Sequence, residues 1–150
     1  MSTTTWSKLI GDRAMELARQ YEANNGRTAM PVHKNGVGYD LFSTSNNEER
    51  HIEVKGVSES WKTYNWQSLH HTEVKSLRED PEHFYLYIIH FDIINEDRDE
   101  AHLSNAPRSL FIIKGQDLLS IFNLTPASYS LRPISQRKLE PYKMIADNLV

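Results

Sequence analysis

Asp40, Glu53 and Lys55 are the residues of this sequence whose types and spacing best suit chemistry. They lie in the stretch GVGYDLFSTSNNEERHIEVKG, residues 36–56, in which apolar and polar residues alternate on either side of a polar turn. This alternation predicts two short strands that form a hairpin. Side chains two apart on a strand point to the same face, so Glu53 and Lys55 should lie side by side, with Asp40 opposite them on the neighbouring strand. Two carboxylates and an ammonium group held together suit a divalent cation and a phosphodiester.

Mg²⁺ prefers one or two carboxylates together with water and phosphate oxygens, which Asp40 and Glu53 would supply, with the Val54 carbonyl as a further ligand. A bound Mg²⁺ or Mn²⁺ would activate a water molecule and neutralise charge on the scissile phosphate. Two nearby carboxylates should raise the pKa of Lys55. We therefore expect a charged Lys55 that orients the attacking water and stabilises the transition state. The residues alone leave open an edge hairpin whose polar face carries an ordinary Glu–Lys pair.

The tripeptide Glu-Val-Lys occurs twice, at residues 53–55 and again at residues 73–75. The second copy falls in a predicted helix, where side chains two apart diverge by about 200°. Glu73 and Lys75 therefore cannot form one compact site. We expect this copy to be a solvated helix surface and an internal control for the first.

Hydrophobic periodicity and helix-stop signals predict the elements that position the hairpin. A helix is predicted over 6–25 and another over 69–80, where Pro81 stops it. The apolar run 84–94 is typical of a strand that is buried on both faces at the centre of a sheet. Further strands are predicted at 28–33, 109–114 and 129–133, the last of which closes the sheet, and a helix is predicted at 115–122. Residues 95–100 are predicted to form an acidic loop. The tryptophan-containing stretch 58–67 is predicted to be a strand or an ordered loop, where exposed aromatic rings could stack on bases.

Length and composition bound the class of protein. A chain of 150 residues, 39% hydrophobic and 25% charged, is typical of one globular domain spanning 1–150. The absence of cysteine excludes disulfides and thiolate metal sites. No apolar run approaches the roughly 18 residues of a membrane helix, and the first residues lack a signal peptide's apolar core, so a cytoplasmic protein without a membrane partner is expected.

Other catalytic classes lack their motifs. No HExxH zinc motif, Walker loop or serine nucleophile elbow of the Gly-x-Ser-x-Gly type is present. The adjacent His70 and His71 would point about 100° apart on a helix, so they cannot both bind one zinc ion.

The segments GYD and IEVKG, placed after a helix that ends in YE and is followed by Gly-Arg, resemble the core of the PD-(D/E)XK nuclease superfamily. More narrowly, they resemble the small NO VEIN-type domain of unknown function that is often fused to helicases. The resemblance continues through Leu69, Glu73 and the strand HFYLYII, and covers roughly residues 14–94. It implies an α/β fold with a restriction-endonuclease-like core, a central mixed β-sheet flanked by helices.

The resemblance also implies roles for individual residues. Asp40 and Glu53 would hold the metal and Lys55 would be the motif lysine, while Tyr39 stands where the superfamily usually has proline. A helper glutamate is expected on the first helix. Glu22 matches the Tyr-Glu pattern of the narrower family, whereas Glu16 matches the spacing of Mrr-like restriction enzymes, and this choice stays open.

The sequence thus predicts a Mg²⁺- or Mn²⁺-dependent deoxyribonuclease, or the nuclease part of a restriction or defence system. The alternative is a non-catalytic module on the same fold that binds nucleic acid or protein. DNA is the expected partner, with RNA left open, together with a homodimer for cutting two strands and a helicase or defence-system partner. Because the net charge is −3, nucleic acid should be met by local positive charge. The candidates are Arg13, Arg19, Arg27, Lys62, Arg137, Lys138 and Lys143.

Overall fold

The computed structural model describes residues 5–33, 36–58, 67–124, 130–133 and 136–144. The helices are α1 (Trp6–Asn24), α2 (His71–Glu79), α3 (Glu100–Asn105), α4 (Gly115–Ile121) and α5 (Gln136–Leu139), with 3₁₀ turns at Asn95–Asp97 and Glu140–Tyr142. The strands are β1 (Thr28–Pro31), β2 (Leu41–Thr44), β3 (Glu49–Val57), β4 (Gln67–Ser68), β5 (Phe84–Phe91), β6 (Arg108–Lys114), β7 (Phe122–Leu124), β8 (Ser130–Pro133) and β9 (Lys143–Met144). No helix within these ranges is long and apolar enough to cross a membrane.

The main sheet has six strands in the order β1-β2-β3-β5-β6-β9. The β3–β5 pair is parallel, and every other neighbouring pair in this sheet is antiparallel. A parallel pair needs a crossover connection, and α2 lies within it. A small antiparallel sheet, β4-β8-β7, accompanies the main one. The predicted α/β class with a central mixed sheet flanked by helices is confirmed.

Alternate residues of β3 face opposite layers. Ile52 and Val54 pack in the core cluster that contains the buried face of α1, whereas Val57 packs in the cluster that contains α2. The neighbouring β5 is buried along nearly its whole length and contributes to both clusters, as its continuous apolar sequence predicts. The sheet therefore separates an α1 side from an α2 side, and the parity of β3 decides which side each side chain serves.

Two predicted segments differ in the structure. The predicted acidic loop at 95–100 contains a 3₁₀ turn and the first residue of α3, because the Asp99 side chain caps that helix by accepting a hydrogen bond from His102 N at 2.8 Å. The strand Ser130–Pro133 does not close the main sheet. It pairs with β4 and β7, and β9 forms the main sheet's edge instead. Strand partners are non-local, so local periodicity could not choose between the two sheets.

Gly56 allows α1 to lie close against β3. A Cβ atom at this position would come within 2.7 Å of Ile10 Cγ2, 2.9 Å of Ile10 O and 3.0 Å of Ala14 Cβ. By contrast, nothing lies within 4 Å of a Cβ added at Gly11 on α1. Gly56 is therefore needed for the close contact with α1, whereas Gly11, within α1, has room for a side chain.

Gly56→Ala should lower the free energy of unfolding by about 1–3 kcal/mol, because the added methyl group overpacks the contact between α1 and β3. Gly11→Ala is the matched control and should raise it by about 0.5–1 kcal/mol through helix propensity alone. Urea denaturation of both variants measures the effect. Equal stability of Gly56→Ala and wild type would show that this contact is looser than described.

Candidate active site

Asp40 is fixed over β3 by two hydrogen bonds. Its backbone N–H donates to Ile52 O at 2.9 Å, beside the Leu41–Ile52 pair that ends the β2–β3 ladder. Its Oδ2 accepts a hydrogen bond from Val54 N at 2.9 Å. Since Leu41 pairs with Ile52, Asp40 stands opposite Glu53, as strand parity predicts.

The three predicted site residues come together in one cluster. Lys55 Nζ lies 3.0 Å from Glu53 Oε1, and the Asp40 carboxyl is near enough to Glu53 and Lys55 for both to influence its pKa. Only 7% of the Glu53 side chain and 14% of the Lys55 side chain are exposed. The predicted proximity of Asp40 to Glu53 is confirmed, as is the placement of Lys55 on the same face. Their catalytic and metal-binding roles stay predictions.

Glu73 joins this cluster, and its prediction as a solvated helix residue is wrong. Its Oε1 lies 2.9 Å from Lys55 Nζ and its Oε2 accepts a hydrogen bond from His70 N at 3.1 Å, at the start of α2. The side chain is 6% exposed. Lys75 does diverge from it, as predicted, and is 73% exposed. The second Glu-Val-Lys copy is therefore split, with its glutamate in the site and its lysine in solvent.

A signal for Glu73 was present in the sequence. Leu69, Glu73 and Leu77 are spaced four residues apart, which places Glu73 on the apolar side of α2. The two leucines are buried, and Glu73 lies between them. The divergence of Glu73 from Lys75 on a helix does not decide which of the two faces solvent, whereas the four-residue spacing places Glu73 on the sheet-facing side.

Gly38 ties the loop before Asp40 to the first turn of α2. Its φ is +86°, in the region that favours glycine, and an added Cβ would come within 2.2 Å of Thr72 O. The loop and α2 therefore touch backbone to backbone. This contact fixes Asp40, at one end of the loop, relative to Glu73, one residue beyond Thr72.

The charges of the cluster are unbalanced, because three carboxyl groups surround one ammonium group. Burial, together with the charges of Asp40 and Glu73, raises the pKa of Glu53 to about 9, even though Lys55 opposes this shift. Burial also raises the pKa of Asp40, against the opposing effects of the Val54 N–H and Lys55. Without a further cation, the cluster therefore keeps a proton on Glu53 at neutral pH.

The pKa values of Lys55 and Glu73 are instead shifted in the directions that favour their charged forms. Burial alone would lower the pKa of Lys55, but the charges of Glu53 and Glu73 outweigh it and the pKa is raised. Burial alone would raise the pKa of Glu73, but hydrogen bonds from Glu53, Lys55 and His70 N outweigh it and the pKa is lowered. The expectation of a charged Lys55 is confirmed, which argues against Lys55 as a general base at neutral pH.

The donor set fits a hard divalent cation. Asp40 and Glu53 supply two carboxyl groups on one side of a cluster that carries surplus negative charge, and Mg²⁺ commonly takes one or two carboxylates with water and phosphate as the other ligands. Within the described ranges, no group of three or more His, Cys, Asp or Glu side chains has the arrangement of a complete metal site. Water and substrate would have to complete the coordination, and the Val54 carbonyl stays a predicted ligand.

Glu22 lies in a different cluster, on the α1 side of the sheet. It is fully buried and forms a two-pronged ion pair with Arg27, whose Nε lies 2.9 Å from Glu22 Oε2. Tyr87, which packs in the α1-side core, has its pKa raised by burial and by the charge of Glu22. Glu16, the other candidate helper, is 67% exposed and pairs with Arg13. The structure therefore brings neither glutamate to Asp40 and Glu53, and Glu73 supplies the additional carboxylate there.

The predicted positive surface is also partly rearranged. The prediction that Arg27 binds phosphates is wrong, because its side chain is only 9% exposed and forms ion pairs with Glu22 and Glu48. Arg19 donates to Ala29 O at 3.3 Å, whereas Arg137 and Lys138 are exposed. Lys62 and the tryptophans of residues 59–66 lie outside the described residues.

The pKa of Glu53 predicts how stability depends on pH. The folded protein keeps this proton up to about pH 9, whereas a carboxyl with the ordinary value of 4.5 releases it on unfolding. The folded state thus binds more protons within this window, so the free energy of unfolding contributed by this group should fall as pH rises. Urea denaturation at about pH 5 and about pH 8 measures this fall in the free energy of unfolding. The fall should be smaller in Glu53→Gln than in wild type, because the glutamine side chain is neutral at both pH values. An identical pH dependence in the variant and wild type would contradict the raised pKa.

Comparison with known proteins places the chain in a family. The family model described as "Protein NO VEIN, C-terminal" matches residues 10–103, which is more than half of the chain. The match includes most of α1, the β2–β3 hairpin with Asp40, Glu53 and Lys55, the crossover helix α2 and the central strand β5. No curated protein and no solved structure gave a significant match. The chain belongs to the NO VEIN C-terminal domain family.

Proposed function

We propose that this chain is a metal-dependent phosphodiesterase of the PD-(D/E)XK nuclease type, which hydrolyses phosphodiester bonds of DNA in a restriction or defence role. The observation that carries the proposal is the gathering of Asp40, Glu53 and Lys55 in one cluster, with Lys55 Nζ 3.0 Å from Glu53 Oε1 and Asp40 Oδ2 2.9 Å from Val54 N, between the two. An ordinary surface Glu–Lys pair would be exposed, whereas this pair is largely buried. The parallel β3–β5 pair with a helical crossover supports the resemblance to the superfamily.

The surplus charge of the cluster gives a physical reason for metal binding. Asp40 and Glu53 have raised pKa values because they are buried beside other carboxyl groups. A divalent cation would replace the proton on Glu53 and relieve the repulsion among the carboxylates, so metal binding should release a proton. When bound, Mg²⁺ or Mn²⁺ supplies an activated water molecule and neutralises negative charge on the scissile phosphate.

Each residue of the proposed site has a separate role. Asp40, directly before β2, and Glu53, on β3, would hold the cation, and the pairing of β2 with β3 limits their movement relative to each other. Lys55 stays protonated, binds a phosphate oxygen or the attacking water through its N–H groups, and stabilises negative charge as it develops. Glu73 is a positioning residue that holds the Lys55 ammonium from the α2 side.

Purified wild type should nick or cleave DNA with Mg²⁺ or Mn²⁺, and Glu53→Gln and Lys55→Ala should abolish this activity while keeping the fold. Glu53→Gln keeps the shape of the side chain but loses the charge that attracts the cation. Lys55→Ala removes a donor that stabilises charge in the transition state, and loss of one such donor typically lowers the rate by about 10²- to 10³-fold. Ca²⁺ should support DNA binding without turnover, because its looser coordination positions water poorly. A plasmid-nicking assay with circular dichroism of each variant measures both properties.

The matched control is the exposed pair of Lys8 and Asp12 on α1, whose side chains are 64% and 66% exposed. Lys8→Ala and Asp12→Asn should leave activity unchanged. Glu73→Gln should lower activity by about 10- to 100-fold, as is typical when a group that supports a metal site is removed. Full activity in Lys55→Ala would contradict the proposed site. Wild type that cleaves with neither metal would favour the non-catalytic binding module.

A further inference from the structure

A groove of about 290 Å³ lies beside the candidate active site, between the loop before β2 and the outer side of α2. Tyr39 and His51 line it from the sheet side, and Thr72, Ser76 and Glu79 line it from α2. Tyr39 directly precedes Asp40 in the chain. His51 is two residues before Glu53 on the same face of β3, a separation of about 7 Å along the strand. The groove is therefore within one nucleotide of the carboxylates.

Aromatic rings form a stack at this groove. The Tyr39 and His51 ring centroids are 4.6 Å apart with an angle of 18° between the ring planes, and His51 and His83 are 5.7 Å apart at 29°. Phe42 packs against His51 from another direction, at 5.5 Å. Tyr39 is the end of the stack that lines the groove, and His83 at the other end is 43% exposed. A planar ring held in the groove would extend this row of rings from Tyr39.

The charges around the stack determine what that ring can be. Glu79 and Asp80 line the groove together with Lys75, whose Nζ lies 3.8 Å from Glu79 Oε1. Two carboxylates beside one ammonium group disfavour a phosphate, and their oxygens accept hydrogen bonds from N–H groups. A neutral planar ligand with N–H donors fits both the rings and the acceptors. Nucleobases with an exocyclic amino group have these properties, and carboxylates are known partners of the cytosine amino group.

We propose that this groove holds one unpaired nucleobase of the substrate strand, adjacent to the phosphate at Asp40 and Glu53. The inference rests on the proposed nuclease function and specifies its substrate class. A paired base in a duplex has both faces covered by its neighbours, so it cannot stack on Tyr39. The site therefore selects single-stranded DNA or a locally unpaired strand end, with adenine, cytosine or guanine preferred over thymine in the groove.

The test measures binding and cleavage separately on the full chain. Binding is followed by fluorescence anisotropy in Ca²⁺, with a labelled single-stranded oligonucleotide and its matched duplex. Single-stranded DNA should bind more tightly than the duplex. Tyr39→Leu should weaken binding of single-stranded DNA by about 5- to 100-fold, the range for loss of one base–aromatic stack, whereas Tyr39→Phe should bind like wild type.

A second measurement keeps the test independent of the folding of Tyr39→Leu. Oligonucleotides that carry the fluorescent base 2-aminopurine at successive positions should show quenching at one position when wild type binds, because the base then stacks on an aromatic ring. Cleavage that persists together with equal binding of duplex and single strand would overturn the groove proposal and leave the nuclease intact. Absence of quenching at every position would overturn it as well. Absence of both cleavage and DNA binding would overturn both proposals.

Discussion

The candidate site depends on one ammonium group shared between two carboxylates from different layers of the fold. Lys55 Nζ lies 3.0 Å from Glu53 on its own strand and 2.9 Å from Glu73 on the crossover helix. Breaking a buried pair by removing one partner is costly, because the other charge is then left uncompensated. This shared contact therefore holds α2 against the sheet at the candidate site. Gly38 reinforces it, since the backbone of the Asp40 loop touches the backbone of α2.

The cluster around Glu22 and the cluster around Glu53 are both buried, but they differ in how their charges are balanced. On the α1 side, Glu22 is matched by Arg27, so the cluster is a structural ion pair inside the fold. On the α2 side, three carboxyl groups meet one ammonium group, and burial together with the charges of Asp40 and Glu73 raises the pKa of Glu53. Unbalanced buried charge is unfavourable for stability and is characteristic of functional sites. The difference in balance, rather than the presence of buried charge, distinguishes the candidate site from the structural cluster.

Local rules predicted the parts of the site that lie on one hairpin. Strand parity places Glu53 and Lys55 on the same face, and the hairpin register places Asp40 opposite them, because both depend only on neighbouring residues and one turn. Glu73 was missed because its position depends on how α2 packs across the sheet, although its spacing between Leu69 and Leu77 carried the information. The helper role given to Glu22 depended on where the end of α1 reaches, which a periodic pattern does not define. The pairing of β8 in the small sheet is non-local in the same way.

The most direct test of the metal-dependent site is a crystal structure of the wild-type chain soaked in Mn²⁺ and measured for anomalous scattering. An anomalous peak is predicted between Asp40 and Glu53, with metal–oxygen distances near the roughly 2.0–2.2 Å of hard divalent cations. A Glu53→Gln crystal treated in the same way should lack the peak. A wild-type crystal with no peak there, and with the Glu53–Lys55–Glu73 contacts unchanged, would contradict the account.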